Sequence, residues 1–280
     1  MKYGLYLPNY GAECSARNLA EVAHQAEEAG WDGFFIWDHL RGGMTKKVDP
    51  IVDPWVAMAA IAMSTTRIRF GTTVTPVPRR HPWKLAREAV TLGHLSGGRL
   101  ILGVGLGGPS EYTLFGHNAD PKVLAGMLDE ALEILMGLWS GEPFEFIGKH
   151  YQISEKVVFK PAPFQQPRIP IWVGGFWPRK GPFLRAARWD GTIPLQLTDS
   201  MLLEPKEVRE IMSFIGEHRT SDEPFDMVVV GWTPHDNPDK ARAKIKPFIR
   251  AGATWWLESL YMQCDSFDAM CERVRIGPPK

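Results

Sequence analysis

An aspartate and a histidine stand side by side in the sequence, Asp38-His39, directly after an apolar, strand-like run. A histidine titrates near neutral pH, and a neighbouring carboxylate can hold its ring in one orientation. The pair is therefore a candidate acid/base group in which His39 handles a proton and Asp38 orients His39. The alternative interpretation is structural: Asp38 caps a loop and His39 lies on the surface.

Glycines dominate residues 103–108, which formally contain the pattern G-x-G-x-x-G. In dinucleotide-binding proteins this pattern directly opens the first helix of a βαβ unit. Here Pro109 and a long segment separate the glycines from the next predicted helix. We therefore disfavour a Rossmann site and expect the missing side chains to let the backbone approach a ligand closely.

A second glycine pair, Gly174-Gly175, precedes a proline at a predicted helix start and two cations, Arg179 and Lys180. Free backbone N–H groups at a helix start favour an anion, and a nearby cation adds positive charge. This segment is a candidate phosphate site. The alternative is a tight turn followed by a solvated basic pair.

Two further carboxylates, Glu111 and Glu258, follow predicted strands. A pair of carboxylates about 5–10 Å apart can hydrolyse glycosides, so Glu258 with Glu111 or Asp38 leaves a glycosidase as an alternative. The other interpretation is that Glu258 pairs with an arginine or orients a loop. We predict no metal site and no serine nucleophile, because no ligand set has zinc spacing and no G-x-S-x-G occurs.

Short apolar runs alternate with helical patterns along the chain. The predicted strands are residues 2–8, 32–37, 68–74, 100–105, 169–174, 190–195, 226–231 and 253–258. The predicted helices are residues 16–29, 53–64, 82–96, 121–139, 178–188, 204–217, 238–249 and 265–274. Such alternation predicts parallel strands in right-handed βαβ units, and this number of units predicts a closed (β/α)₈ TIM barrel. An open doubly wound sheet is the alternative.

One interval is longer than the others, between the fourth and fifth predicted strands. We interpret residues 140–168 as a strand-rich insertion in a single domain that covers residues 1–280. In a barrel, functional residues lie on the loops after the carboxyl ends of the strands, where all the candidates above are placed.

The composition limits the function classes. The 32 lysines and arginines balance the 32 aspartates and glutamates, so the basic excess of nucleic-acid-binding proteins is missing. Three cysteines are too few for a disulfide scaffold and predict a reducing, cytoplasmic location. No apolar run reaches the length of a membrane span, about 18 residues or more, and the N-terminus does not resemble a signal peptide.

Six segments in the same order resemble the luciferase-like monooxygenase superfamily, whose members are flavin- or deazaflavin-dependent oxidoreductases. They are G-x-x-x-P at residues 4–8, AEEAGWDGFFIWDHL at 26–40, GTTVTP at 71–76, LSGGRLILGVGLG at 95–107, PRIPIWVGG at 167–175 and AARWDG at 186–191. The superfamily's fold is the same barrel, with an insertion before the fifth strand.

The resemblance implies a flat tricyclic cofactor across the mouth of the barrel. It assigns a non-proline cis peptide behind the ring to Thr73 and Val74. It assigns the edge of the ring to Gly105, Leu106 and Gly107. It assigns the phosphate end of the cofactor to Gly174, Gly175, Phe176 and Arg179.

Asp38-His39 resembles the pair in members that use the deazaflavin coenzyme F420, so both residues are assigned to that cofactor's site and F420 is favoured over FMN. Some of those members carry a glutamate directly after the strand-four glycines, where this chain has Gly108 and a later Glu111. The resemblance implies hydride transfer with a small organic substrate, or oxygen-dependent monooxygenation if FMN binds. It also implies a homodimer, and a homologue that has lost activity and acts as a binding subunit is a further alternative.

Overall fold

The structure is a computed structural model that describes residues 1–41, 49–261, 264 and 266–279. The strands are β1 (Lys2–Leu7), β2 (Gly33–Ile36), β3 (Arg69–Thr72), β4 (Thr75–Pro76), β5 (Leu100–Gly105), β6 (Phe144–Ile147), β7 (Gln152–Val157), β8 (Ile171–Trp177), β9 (Gly191–Gln196), β10 (Asp226–Gly231) and β11 (Trp255–Ser259). The helices are α1 (Ala16–Glu28), α2 (Pro54–Ser64), α3 (Pro82–Leu95), α4 (Ser110–Thr113), α5 (Pro121–Trp139), α6 (Lys180–Ala186), α7 (Pro205–His218), α8 (Pro238–Arg250) and α9 (Phe267–Ile276).

The parallel strands close into a barrel. The hydrogen-bonded order runs β3-β2-β1-β11-β10-β9-β8-β5, and β3 pairs with β5 through Phe70 opposite Leu100. That last pairing joins the two ends of the sheet, so the predicted (β/α)₈ barrel is confirmed and the open-sheet alternative is wrong. The carboxyl ends of all eight barrel strands therefore meet around one mouth.

Aromatic rings fill the barrel interior. Phe35, Trp172 and Trp255 are fully buried, and their ring centroids lie 5.0 to 5.7 Å apart. Gly33 makes room for them, since a Cβ there would lie 2.5 Å from the Phe35 ring and 2.8 Å from the Trp255 ring. The interior is thus a packed core rather than a channel, and chemistry is confined to the rim.

The long interval before β8 contains an antiparallel hairpin, β6–β7, inside the predicted strand-rich segment 140–168. Glu130 of α5 holds its turn by accepting hydrogen bonds from the backbone N–H groups of Lys149, His150 and Tyr151. These bonds tie the hairpin to the outer face of the barrel.

Three helices begin where their capping residues predict. Asp53, Asp120 and Asn237 each precede a proline and accept hydrogen bonds from the first turn of α2, α5 and α8. The helix predicted at 265–274 is observed as α9, and residue 265 lies outside the described residues. Within the described part of the chain, no helix is both long and apolar enough to cross a lipid bilayer.

A buried glutamate joins α1 to the start of β3. The carboxylate of Glu27 accepts hydrogen bonds from the backbone N–H groups of Thr66, Arg67 and Ile68 at 3.0, 2.5 and 2.7 Å. Burial raises the pKa of Glu27, but these bonds outweigh burial and lower that pKa to about 2.

We expect Glu27→Gln to lower the free energy of unfolding at pH 7 by about 2–4 kcal/mol. Because the folded-state pKa lies below the unfolded-state pKa, this contribution is present above about pH 4.5 and is lost as the pH falls towards 2. Urea unfolding at pH 7 and pH 3 should therefore show a gap between wild type and variant that shrinks in acid. The exposed neighbour Glu28, changed to glutamine, is the control, and an equal loss in both variants would contradict this prediction.

Candidate functional site

The third barrel strand is interrupted at the mouth. It runs as β3 to Thr72, and it resumes at Thr75 as the two-residue β4, which pairs with β5. The peptide bond between Thr73 and Val74 is cis, as the resemblance implied. The hydroxyl groups of Thr72 and Thr75 lie 2.8 Å apart, so a hydrogen bond joins the two residues on either side of the interruption.

The Val74 side chain, which we call the Val74 platform, packs over the barrel interior and against glycines of β5 and β8. A Cβ at Gly105 would lie 2.5 Å from Val74 Cγ2, and one at Gly174 would lie 2.8 Å from Val74 Cγ1. These two glycines therefore admit the Val74 side chain, where the sequence led us to expect the backbone itself to meet a ligand. The neighbouring Thr73 Oγ1 is buried and has no hydrogen-bond partner.

Leu106 and Gly107 continue from β5 along the edge of this platform. Gly107 has a φ of +76°, and a Cβ there would lie 2.7 Å from Pro76. The backbone carbonyl of Leu106 accepts a hydrogen bond from the Tyr112 hydroxyl at 2.5 Å. Both residues are thus held at the rim, beside β4.

His39 lies at the mouth with 38% of its side chain exposed. Its Nδ1 is 3.0 Å from Oε1 of Glu111. The backbone around it is held by the fully buried Asn9, which donates to the His39 carbonyl at 3.0 Å and accepts from its N–H at 3.2 Å. One ring nitrogen of His39 therefore contacts a carboxylate, and hydrogen bonds with Asn9 hold the backbone of His39 in place.

Glu111 bridges three groups from the buried base of the mouth. Besides His39, it accepts from the Leu40 N–H at 2.8 Å and from Arg79 Nη1 at 2.5 Å. Burial raises the pKa of Glu111, but the bonds from His39 and Leu40 and the charge of Arg79 outweigh burial and hold that pKa below its ordinary value. These contacts therefore favour the charged form of Glu111 behind His39.

The Asp38 carboxylate is directed elsewhere. It accepts from Arg79 Nη2 at 2.8 Å, from Arg80 Nη2 at 3.0 Å and from Trp55 Nε1 at 3.3 Å, and only 1% of the side chain is exposed. The sequence-based assignment of Asp38 as the residue that orients His39 is corrected here, because Glu111 makes that contact. Asp38 instead holds Arg79, whose other end holds Glu111.

The carboxyl end of β8 and the turn after it contain the predicted phosphate-binding residues. A Cβ at Gly175 would lie 2.2 Å from Pro182, so Gly175 allows α6 to pack against the strand. Phe176 and Arg179 are exposed at the rim, and the helix begins at Lys180, later than predicted. Lys180 Nζ lies 3.7 Å from the centroid of the Trp177 ring. Arg179 and Lys180 are both exposed, and no ring contact of this kind is seen for Arg179 in the described part of the chain.

Glu258 faces away from the mouth. Trp255 and Leu257 point into the barrel and Trp256 points to the helices, so alternation along β11 places Glu258 on the helix side. There it accepts from Trp256 Nε1 at 2.8 Å and from the Thr233 N–H at 2.7 Å, and it lies 3.5 Å from Arg273. The glycosidase alternative is therefore wrong for Glu258, and the interpretation that it pairs with an arginine and holds a loop is confirmed.

Aromatic rings line the mouth on the side of β1, β2 and β11. We call Tyr6, Tyr10, Trp37 and Tyr261 the aromatic wall. Trp37 is its centre, with ring centroids of the three tyrosines at 5.3 to 5.8 Å. The His39 ring lies 5.6 Å from Trp37 and 6.1 Å from Tyr10.

A barrel with a cis bulge in its third strand and a histidine–carboxylate pair at the mouth can be compared with known proteins. The sequence profile of the luciferase-like monooxygenases matches residues 1–275. The chain belongs to this family.

Its relatives include proteins named for coenzyme F420. A putative coenzyme F420-dependent oxidoreductase of Mycobacterium tuberculosis is 31% identical over 263 residues, which are 89% of this chain and 71% of that protein. An F420-dependent glucose-6-phosphate dehydrogenase of Nakamurella multipartita is 34% identical over 168 residues, which are 57% of this chain and 47% of that protein. This dehydrogenase and other curated relatives are matched over only about half of their own length.

Solved structures share the luciferase-like barrel. An F420-dependent secondary alcohol dehydrogenase with an F420–acetone adduct superposes with a TM-score of 0.82 at 16% identity, over 99% of this chain and 98% of that one. The oxygenating constituent of 3,6-diketocamphane monooxygenase of Pseudomonas putida, solved with FMN, gives 0.76 at 20% identity, over 99% and 96%. At these identities the likeness establishes the fold alone.

Sequence reasoning about this luciferase-like protein missed Arg79, Arg80, Trp55 and Asn9. Arg79 reaches the site because residues Val77–Arg79 form a 3₁₀ turn directly after β4. The sequence contained one signal for the arginines. Two adjacent arginines follow a predicted strand, and charged groups that become buried need partners of opposite charge, as Asp38 does here.

Proposed function

We propose that this protein is a coenzyme F420-dependent oxidoreductase that transfers a hydride to or from a small organic substrate with an alcohol or carbonyl group. The observation that carries the proposal is the His39–Glu111 pair at the rim of a barrel whose mouth presents the flat Val74 platform. Two relatives named for F420 support the choice of cofactor. One matches 57% of this chain and the other matches 89%.

The residues at the platform fit a flat heterocycle. Val74 offers an apolar surface, and the buried, unpartnered Thr73 Oγ1 beside it is free to bond a polar edge. In this proposal Val74 would hold the face of the ring, and Gly105, Leu106 and Gly107 would hold its edge. Gly174, Gly175, Phe176 and Arg179 would hold the phosphate end.

Coenzyme F420, when bound, supplies a site that accepts or returns a hydride. Oxidation of an alcohol also releases the hydroxyl proton, and His39 is placed to take it. Because Nδ1 faces the Glu111 carboxylate, it carries the hydrogen in neutral His39, and Nε2 remains as the acceptor for the substrate. In the reverse direction the same nitrogen returns the proton to a carbonyl oxygen.

Side-by-side binding of F420 and FMN tests the proposal. We expect F420 to bind at least tenfold more tightly than FMN, measured by fluorescence titration. Gly174→Ala should weaken F420 about five- to tenfold, since the new Cβ displaces Val74 at a cost of about 1 kcal/mol or more.

The control is Gly216→Ala, at a glycine on α7 whose Cβ would have nothing within 4 Å. Tighter binding of FMN would favour the oxygen-dependent alternative, to which the FMN-bound neighbour belongs. No binding of either cofactor would contradict an oxidoreductase function.

We also propose that two copies of the chain pair through α2. This helix has no charged residue, and Val56 and Met63 on its outer face are 64% and 71% exposed. An uncharged helix with large apolar side chains in solvent is typical of a protein interface. Sedimentation equilibrium should show a dimer for wild type and a monomer for Met63→Lys. Ile249→Lys on α8 is the control, and a monomeric wild type would contradict the proposal.

A further inference from the structure

The aromatic wall surrounds the position that a substrate of His39 must occupy. Trp37 is 9% exposed and Tyr10 is 8% exposed, while Tyr261 is 49% exposed at the outer edge. Tyr10 and Tyr261 meet edge to face at 6.5 Å between ring centroids. The wall is thus a packed set of rings in which Tyr261 is exposed. An exposed aromatic ring of this kind can pack against the ring of a ligand.

The aromatic wall and the glycines that contact Val74 come from different strands of the barrel. The wall comes from β1, β2 and β11, which are neighbours in the sheet, whereas Val74 contacts Gly105 of β5 and Gly174 of β8. A molecule that reaches His39 from the mouth therefore has the platform on one side and the wall on the other.

The two arginines behind His39 are already paired with carboxylates. Burial raises the pKa of Tyr10, and the charge of the Asp49 carboxylate raises it further. Among the described residues, the guanidinium groups behind His39 belong to Arg79 and Arg80, and both are bonded to Asp38 or Glu111. A phosphate group placed here would find no uncommitted cation in that pair.

We infer that the aromatic wall selects an uncharged cyclic or aromatic alcohol or ketone and disfavours a phosphorylated sugar. This substrate class rests on the proposed function, and it differs from that of the relative named for glucose-6-phosphate. Tyr261, the exposed ring of the wall, contacts the substrate ring, and the buried Trp37 supports Tyr261 at 5.4 Å between ring centroids.

Isothermal titration calorimetry with acetophenone and glucose-6-phosphate tests the inference, on the protein with and without F420. We expect acetophenone to bind the loaded protein at least tenfold more tightly than glucose-6-phosphate. Tyr261→Ala should weaken acetophenone about fivefold, the size of one aromatic contact, and Tyr261→Phe should restore it. Phe164→Ala, at a ring of similar exposure (54%) beside Gly98, is the matched control.

Tighter binding of glucose-6-phosphate, or equal loss in the Tyr261 and Phe164 variants, would overturn the inference. The F420 dissociation constant of each variant, measured on the same samples, should stay within about twofold of wild type. If F420 does not bind at all, the proposed function fails. In that case the affinities of the protein without F420 for acetophenone and for glucose-6-phosphate still test the inference, because the same rings are present.

Discussion

His39→Ala is expected to lower kcat for the oxidation of an alcohol such as 1-phenylethanol by about two to four orders of magnitude. His39 is the group whose ring reaches the mouth while its Nδ1 is held at 3.0 Å by Glu111. Without the ring, the hydroxyl proton has only water as its acceptor. The rate is measured as the loss of oxidised cofactor absorbance under saturating alcohol.

Two controls separate proton transfer from damage to the fold. Added imidazole should restore part of the His39→Ala rate, because the cavity left by the ring admits a small base. His24→Ala, at an exposed histidine on α1 whose Nδ1 faces the Ser64 carbonyl, should leave the rate unchanged. A loss of less than tenfold in His39→Ala would remove this residue from the proton-transfer step.

Local sequence patterns account for most of the barrel. Apolar runs alternate with capped helices, and the Asp-Pro and Asn-Pro pairs place helix starts to within a residue. The small elements at the mouth were not predicted. The helix α4 spans four residues and β4 spans two, and elements so short have no periodicity to detect. Yet α4 is the element that carries Glu111 to His39.

The site itself depends on charge pairing between distant segments, which neighbouring residues in the sequence do not reveal. Asp38 and His39 are adjacent, but their side chains point to different partners, Arg79 and Glu111. The four residues form one chain of contacts, His39–Glu111–Arg79–Asp38. Successive members of this chain of contacts are 72, 32 and 41 residues apart in the sequence. The family resemblance implied the cis peptide at Thr73 and Val74, whereas the partners of Asp38 required the structure.

Glu111→Gln is the second substitution with a large expected effect. The carboxylate is 5% exposed and faces Arg79, whose side chain is 7% exposed. The substitution weakens charge-assisted hydrogen bonds to Arg79 and His39, while Arg79 keeps Asp38 as a partner. We expect the free energy of unfolding to fall by about 2–3 kcal/mol. Asp129→Asn, which breaks the more exposed pair with Arg185, is the control and should cost about 1 kcal/mol or less.

The same substitution should lower kcat about 10- to 100-fold with little change in the F420 dissociation constant. Loss of the orienting carboxylate in a fully buried protease triad costs about 10⁴-fold, and the smaller value here reflects the partial exposure of His39. Glu111 acts through His39, so ¹⁵N NMR of that ring is the decisive measurement. Wild type should carry the hydrogen on Nδ1, and the variant should populate both tautomers. An unchanged tautomer with a reduced rate would show that Glu111 only supports the fold.

Acid should imitate Glu111→Gln. Since the folded-state pKa of Glu111 lies below its ordinary value, the stability from its contacts is present above the unfolded-state pKa, about 4.3, and is lost as the pH falls through the folded-state value. The difference in unfolding free energy between wild type and Glu111→Gln should therefore be constant from about pH 5.5 upwards and shrink below pH 4.5. A difference that stays constant down to pH 3 would mean that Arg79 and His39 do not stabilise the charged form of Glu111, and the argument that this charge holds His39 would fail with it.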